Sequence, residues 1–166
     1  MKICPMCGEC HGKAVSVCGH CGYTEMPAEK YAKNKFYKLM QRYEYEKTED
    51  GGYRILKARN TRDLELRFSV GLPHFVTEIG DGAFEYCKFI NEIELHGGIL
   101  SVGDGAFARC KSLECVFVPE SVTHMGKGVF NGCYDLRQIR CAAPEKPEGW
   151  DDAWLEGCDA TVQWGG

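Results

Sequence analysis

The chain has 166 residues, 44% of them hydrophobic and 27% charged, with a formal net charge of −4. That length allows one sizeable core plus a small appendage. The mild acidity gives no overall electrostatic case for nucleic-acid binding, and no apolar run approaches the roughly 20 residues of a membrane-spanning helix.

The first residues, MKICPMCGECHG, lack the apolar stretch of a secretory signal. Eleven cysteines is a high count. In a secreted chain they would point to disulfides, but five fall in the first 21 residues at metal-ligand spacing, and others recur at a fixed interval further along. The expectation is a reducing, cytoplasmic location, with the cell surface as the less favoured one.

Residues 1–25 hold two matching knuckles, Cys4-Pro5-Met6-Cys7-Gly8 and Cys18-Gly19-His20-Cys21-Gly22. A C-x-x-C turn points two thiolates at one ion, and the following glycine lets backbone amides turn towards the sulfurs. Cys4, Cys7, Cys18 and Cys21 therefore make a soft tetrahedral set suited to Zn2+. Cys10 or His11 remains an alternative to one knuckle cysteine. The segment resembles a minimal zinc ribbon. So short a unit has almost no core, and metal binding would supply most of its folding free energy, on the order of 10–16 kcal/mol in comparable peptides. With every ligand a cysteine, no open position is left for a catalytic water, so the metal is expected to be structural.

A linker helix is expected over 26–52. Pro27 suits a first helical turn, and Ala32, Phe36, Leu39, Met40 and Tyr43 fall on one face at a 3.6-residue period. Lys30, Lys33, Lys35, Lys38 and Arg42 make it locally basic. This leaves open a nucleic-acid-binding or regulatory adaptor acting through ribbon and helix. Glu44, Glu46, Glu49 and Asp50 gather where the helix dipole disfavours them, and Gly51-Gly52 ends the segment.

Residues 53–75 read as an opening coil. Tyr53–Leu56 and Leu64–Phe68 look like strands separated by the polar Asn60–Asp63 turn, and Arg67–Pro73 supplies a strand in phase with the repeats after it. This hairpin and the linker helix are the candidates to cover the solenoid's first face.

From Val76 to Pro144 the sequence repeats three times without a gap, at 76–98, 99–121 and 122–144, with a period of 23. Ile79, Val102 and Met125 share a column, as do Gly80, Gly103 and Gly126, Phe84, Phe107 and Phe130, and Cys87, Cys110 and Cys133. The second half of each unit reads Ile90-x-x-Ile93-x-Leu95, Leu113-x-x-Val116-x-Val118 and Leu136-x-x-Ile139-x-Cys141. A short fixed period is the signature of a solenoid, in which each coil buries its apolar face on its neighbours. The combination IG-x-x-AF-x-x-C-x-x-L-x-x-I-x-L resembles the BspA-like leucine-rich repeat of bacterial proteins. The resemblance implies a leucine-rich repeat solenoid of short parallel strands, turns and short helical segments that binds a partner, usually a protein, on its concave strand face. Within each strand side chains alternate. With Ile93 and Leu95 inward, the outward columns are Gly71, Glu94, Phe117, Arg140 and Ser69, Glu92, Cys115, Gln138. Phe117, an aromatic among charges, is the candidate anchor, with Glu94, Arg140 and Gln138 around it. Cys87, Cys110 and Cys133 are expected to be reduced and buried, and Cys115 to face solvent.

Residues 145–166 continue the period weakly. Gly149 aligns with Gly126, Val162 with Ile139 and Trp164 with Cys141, while Trp154 and Cys158 lie one and two residues past their columns. A capping coil closed by tryptophans is expected here. No nucleophile, base and oxyanion arrangement emerges, and Gly-x-Gly in IGDGAF lacks the strand–helix setting of a phosphate cradle. The expected function is therefore a non-catalytic protein-interaction module with structural zinc. A surface adhesin is the alternative suggested by exported relatives of the repeat family.

Overall fold

The computed structural model describes residues 2–3, 10–11, 43–58, 72, 75–88 and 90–166. Two short strands, β1 (Lys2–Ile3) and β2 (Cys10–His11), pair antiparallel, with Ile3 opposite Cys10. The zinc-ligand assignments at Cys4, Cys7, Cys18 and Cys21 lie outside the described residues, as do residues 26–42 of the expected linker helix, the expected strand at 64–68 and, apart from Leu72, the expected strand at 67–73.

Over its last residues the expected helix is replaced by a strand. Residues Tyr43–Lys47 form β3, which pairs antiparallel with β4 (Tyr53–Ala58). The reason is the alternation Tyr-Glu-Tyr-Glu-Lys, which suits a half-buried strand: Tyr43 is buried and Glu44 exposed. The turn between them closes through Thr48 N–H to Gly52 O at 3.0 Å and Gly51 N–H to Thr48 O at 3.1 Å, with Gly51 at φ 89°.

The remaining strands build a parallel solenoid of about four turns, and each full coil contributes to two sheets. The first sheet runs β3-β4-β5-β7-β9, with β5 (Val76–Ile79), β7 (Ser101–Val102) and β9 (His124–Met125) parallel to β4. The second runs β6-β8-β10-β11, with β6 (Glu92–Glu94), β8 (Cys115–Val118), β10 (Gln138–Cys141) and β11 (Thr161–Trp164), all parallel. Only the second sheet was expected from the sequence. Ile55 stands in register with Ile79, so β4 is the opening coil's strand.

Between the sheets lies the core. Val76, Ile99 and Val122 form one wholly buried column, and Ile90, Leu113 and Leu136 form another. Phe84 stacks on Phe107 at 5.1 Å and 22°, and Phe107 on Phe130 at 5.8 Å and 7°. Tyr43 meets Phe84 edge-on at one end, and Trp154 meets Phe130 edge-on at the other. The β3–β4 hairpin thus packs on the first coil; it differs from the expected hairpin of 53–56 with 64–68, whose second strand lies outside the described residues.

The segments after the glycine column are turns, and no helix occurs among the described residues. In the first coil, Ala83 N–H reaches Gly80 O, Glu85 N–H reaches Gly82 O, and Cys87 N–H reaches Phe84 O. These single turns never join into a helix because positive φ interrupts them at Gly82 (57°) and Tyr86 (63°). Gly103 and Gly126 are required by close approach. A Cβ at Gly103 would lie 2.7 Å from the Asp81 backbone nitrogen and 2.8 Å from the Gly80 carbonyl carbon.

Two side-chain ladders run along the coils. Asp104 N–H donates to Asp81 Oδ1 at 2.9 Å, and Lys127 N–H donates to Asp104 Oδ1 at 2.8 Å. Inside, the Cys110 thiol donates to Phe84 O at 3.2 Å and the Cys133 thiol to Phe107 O at 3.1 Å. The cysteine column therefore gives a second donor to carbonyls that already accept a turn N–H, Cys87 N–H on Phe84 O at 3.1 Å and Cys110 N–H on Phe107 O at 3.3 Å.

The last coil departs from the period. Trp150 bridges Met125, 25 residues earlier, and Asp151 N–H takes the Met125 carbonyl at 2.8 Å. Gly149 is therefore not the partner of Gly126, because the loop after β10 is two residues longer than its predecessors. The register is recovered by β11, where Ile139 pairs Val162 and Cys141 pairs Trp164. The Trp150 indole donates to Val122 O at 2.9 Å, and its ring lies 5.0 Å from Trp154 and 5.7 Å from Trp164.

Candidate interaction surface

Strand alternation decides what the second sheet shows to solvent. In β8 and β10, Val116, Val118, Ile139 and Cys141 are buried, so the residues between them face out. The register joins Glu94, Phe117, Arg140 and Gln163 into one outward ladder, and Glu92, Cys115, Gln138 and Thr161 into its neighbour. Of the expected partner-binding residues, Glu94, Arg140 and Gln138 are exposed and Phe117 is half-buried. Gly71 and Ser69 lie outside the described residues.

Adjacent parallel strands are about 4.8 Å apart, so the four-strand ladder is on the order of 15 Å long. Its charge is ordered along that length: Glu92 and Glu94 stand at the first-coil end, Phe117 in the middle, and Arg140 beyond it. Gln138 Nε2 donates to Gln163 Oε1 at 3.0 Å, which fixes the two amides at the far end. Gln163 was not singled out from the sequence, although the alignments of Val162 and Trp164 bracket it.

Cys87, Cys110, Cys133 and Cys141 are buried free thiols, while Cys115 and Cys158 are half-buried. Burial pushes the Cys141 thiol up to about 11 from the usual 9.0. Cys110, flanked by the Cys133 and Cys87 thiols and buried, is held far above the ordinary thiol range. Neither is a nucleophile at neutral pH.

The first sheet's outer face carries a shallow groove bordered by Arg54, Leu56, Glu78, Asp81 and Ser101. Its one cation is already neutralised: Arg54 pairs with Glu78 at 2.6 Å and Glu46 at 2.9 Å. The Glu78 hydrogen bond holds the guanidinium above its usual range. Among the described residues, no three potential metal ligands come together and no helix is long and apolar enough to cross a membrane.

Residues 64–158 match a family described as the BspA type leucine-rich repeat region, in 6 copies. Three solved structures are similar. A leucine-rich cell surface protein from Faecalibacterium prausnitzii A2-165 is 25% identical with a TM-score of 0.54, over 71% of this chain and 30% of that one. A leucine-rich repeat protein from Bacteroides ovatus ATCC 8483 is 25% identical with a TM-score of 0.55, over 74% of this chain and 36% of that one. A leucine-rich repeat protein from Bacteroides capillosus ATCC 29799 is 24% identical with a TM-score of 0.53, over 75% of this chain and 95% of that one. The chain thus spans about a third of the length of the first two. No curated protein matches the sequence.

Proposed function

Since the chain belongs to the BspA-type leucine-rich repeat family, whose repeats generally serve as protein-interaction scaffolds, we propose that it is a non-catalytic module holding a protein or peptide on its second sheet. The observation that carries this reading is the ladder Glu94–Phe117–Arg140, with Gln138 beside it. Such a strip complements an extended segment with a cation at one end, an apolar side chain in the middle and a carboxylate at the other. Phe117 supplies the apolar contact, the flanking charges set direction, and the amides of Gln138 and Gln163 offer hydrogen bonds. The test is a direct affinity measurement with a partner identified by crosslinking from position 117. Phe117→Ala and Glu94→Arg should each weaken binding about tenfold or more, and Ser101→Lys on the first sheet should not. Equal affinity for the ladder variants and the wild type refutes the assignment.

The N-terminal cysteines belong to the same proposal. Cys4, Cys7, Cys18 and Cys21 form a Cys4 donor set for structural Zn2+. The antiparallel pairing of residues 2–3 with 10–11 supports this, since those strands flank the first C-x-x-C in sequence. Native mass spectrometry with thiol counting is the check. One zinc per chain, with about four thiols exposed on chelation, is expected; no zinc after expression in zinc-supplemented medium removes the ribbon. The buried free thiols support a reducing, cytoplasmic location. A cell-surface role is the second reading, favoured by similarity to the Faecalibacterium cell surface protein, and fractionation of the native protein decides between them.

A further inference from the structure

The turns that lead into the second sheet carry a feature the ladder does not use. At the residue before each column cysteine the backbone is left-handed: Tyr86 at φ 63°, Arg109 at φ 60°, Gly132 at φ 72° and Gly157 at φ 72°. Glycine suits that conformation, and L side chains rarely adopt it. The first two coils nevertheless place a tyrosine and an arginine there. Neither serves the core, since Tyr86 is 47% exposed and Arg109 is also exposed. They meet each other instead: the Arg109 guanidinium carbon sits 5.0 Å from the centre of the Tyr86 ring. A ring under the guanidinium face holds it flat and leaves its N–H edges free to donate. Two residues on, the same coils present Lys88 and Lys111, one period apart and both exposed. The third coil has Tyr134 in that position, 81% exposed.

Lys88, Arg109 and Lys111 form no ion pair among the described residues, although the chain has more acidic than basic residues. Glu85, three residues before Lys88, turns back over Gly82, where its carboxylate would be 3.6 Å from an added Cβ. Three such cations within about two coil spacings repel one another, and a bound anion relieves that repulsion.

We propose that this corner is a second docking site, distinct from the ladder, and that its occupant is an acidic peptide segment of a protein partner. Arg109 offers a fork of donors to a carboxylate, Lys88 and Lys111 add point charges, and Tyr86 and Tyr134 give flat contact on either side. A peptide fits better than a nucleic acid. The patch spans three cations only, and the net charge of −4, with Glu92 and Glu94 on the adjoining strand face, repels a long polyanion.

The test uses the full chain and a fluorescent peptide of about ten residues carrying about three glutamates, with a single-stranded RNA of about ten nucleotides as comparator, by anisotropy at low and physiological salt. Binding of the peptide that weakens with salt is expected. Arg109→Gly suits the left-handed backbone, and the Lys88→Glu/Lys111→Glu pair replaces exposed side chains, so both should fold. Each should lower affinity about tenfold or more, while Phe117→Ala leaves it unchanged. Absence of binding at low salt overturns the site, as does undiminished binding by both corner variants. Tighter binding of the RNA overturns the choice of occupant, and loss of peptide binding in Phe117→Ala alone places the contact on the ladder.

Discussion

Three glycines of two successive coils test the account of coil spacing, because an added methyl group meets a different physical setting at each. At Gly103 the new Cβ would stand 2.7 Å from the Asp81 backbone nitrogen. Ordinary contact is about 3.4 Å or more, so the coils must part by roughly 0.7 Å. Two bonds across that seam suffer, Gly103 N–H to Ile79 O at 2.7 Å and Asp104 N–H to Asp81 Oδ1 at 2.9 Å. At about 1 kcal/mol each, plus 1–3 kcal/mol for overpacking, Gly103→Ala should cost about 3–5 kcal/mol. At Gly105 there is room, the nearest atom being Ala108 Cβ at 3.6 Å, but φ is +56°. The strain of about 1–2 kcal/mol, partly offset by a less flexible unfolded chain, leaves Gly105→Ala costing about 1 kcal/mol. At Gly97 nothing lies within 4 Å, so alanine should be neutral or stabilising by up to about 1 kcal/mol. Urea denaturation followed by tryptophan fluorescence gives all three values. The order Gly97→Ala, then Gly105→Ala, then Gly103→Ala in falling stability is required, and a Gly103→Ala cost below that of Gly105→Ala would refute the reasoning.

Other consequences can be measured on the same material. Trp150→Phe keeps a ring in the cap but strands the Val122 carbonyl, which should cost about 1–3 kcal/mol in urea melts. Cys141 titrates in the fold at about 11 against 9.0 when unfolded. Its stabilising contribution is therefore complete below pH 9 and lost as pH rises from 9 through 11, and Tyr45, raised by burial and by Tyr43, acts the same way. The urea midpoint should hold steady to about pH 8 and fall above 9, less steeply in Cys141→Ala. Among the six cysteines of the solenoid, Cys115 and Cys158 should react first with a thiol reagent, and the four buried ones only on unfolding.

The repeat made the central coils legible, because each column reports the same environment three times. Phe84, Phe107 and Phe130 could be assigned to the core without knowing the fold, and the ladder at Glu94, Phe117 and Arg140 followed from strand alternation. Segments without a repeated counterpart were harder to read. Tyr43 satisfied both a helical period before it and a two-residue period after it, and only burial on Phe84 decided between them. The first sheet escaped notice because β7 and β9 have two residues each, too short to show alternation. The Asp81–Asp104 ladder was visible as a 23-residue recurrence, but the repeat's third member is Lys127, which contributes its backbone amide rather than a side chain. Gly149 was misaligned because the insertion before Trp150 is cancelled before β11, so the strand match concealed it.

The aromatic spine also behaves as a stopper at both ends. Phe84, Phe107 and Phe130 present parallel faces, a pattern that in principle has no natural limit. Tyr43 and Trp154 stand at 63° and 77° to their neighbours, so at each end a ring edge meets the last stacking face. Both end rings are themselves buried, so the pile closes inside the fold and not at its surface. Head-to-tail contacts that never close are the route from a repeat protein to a filament, and a spine sealed by its own rotated end rings does not offer its stacking faces to such growth.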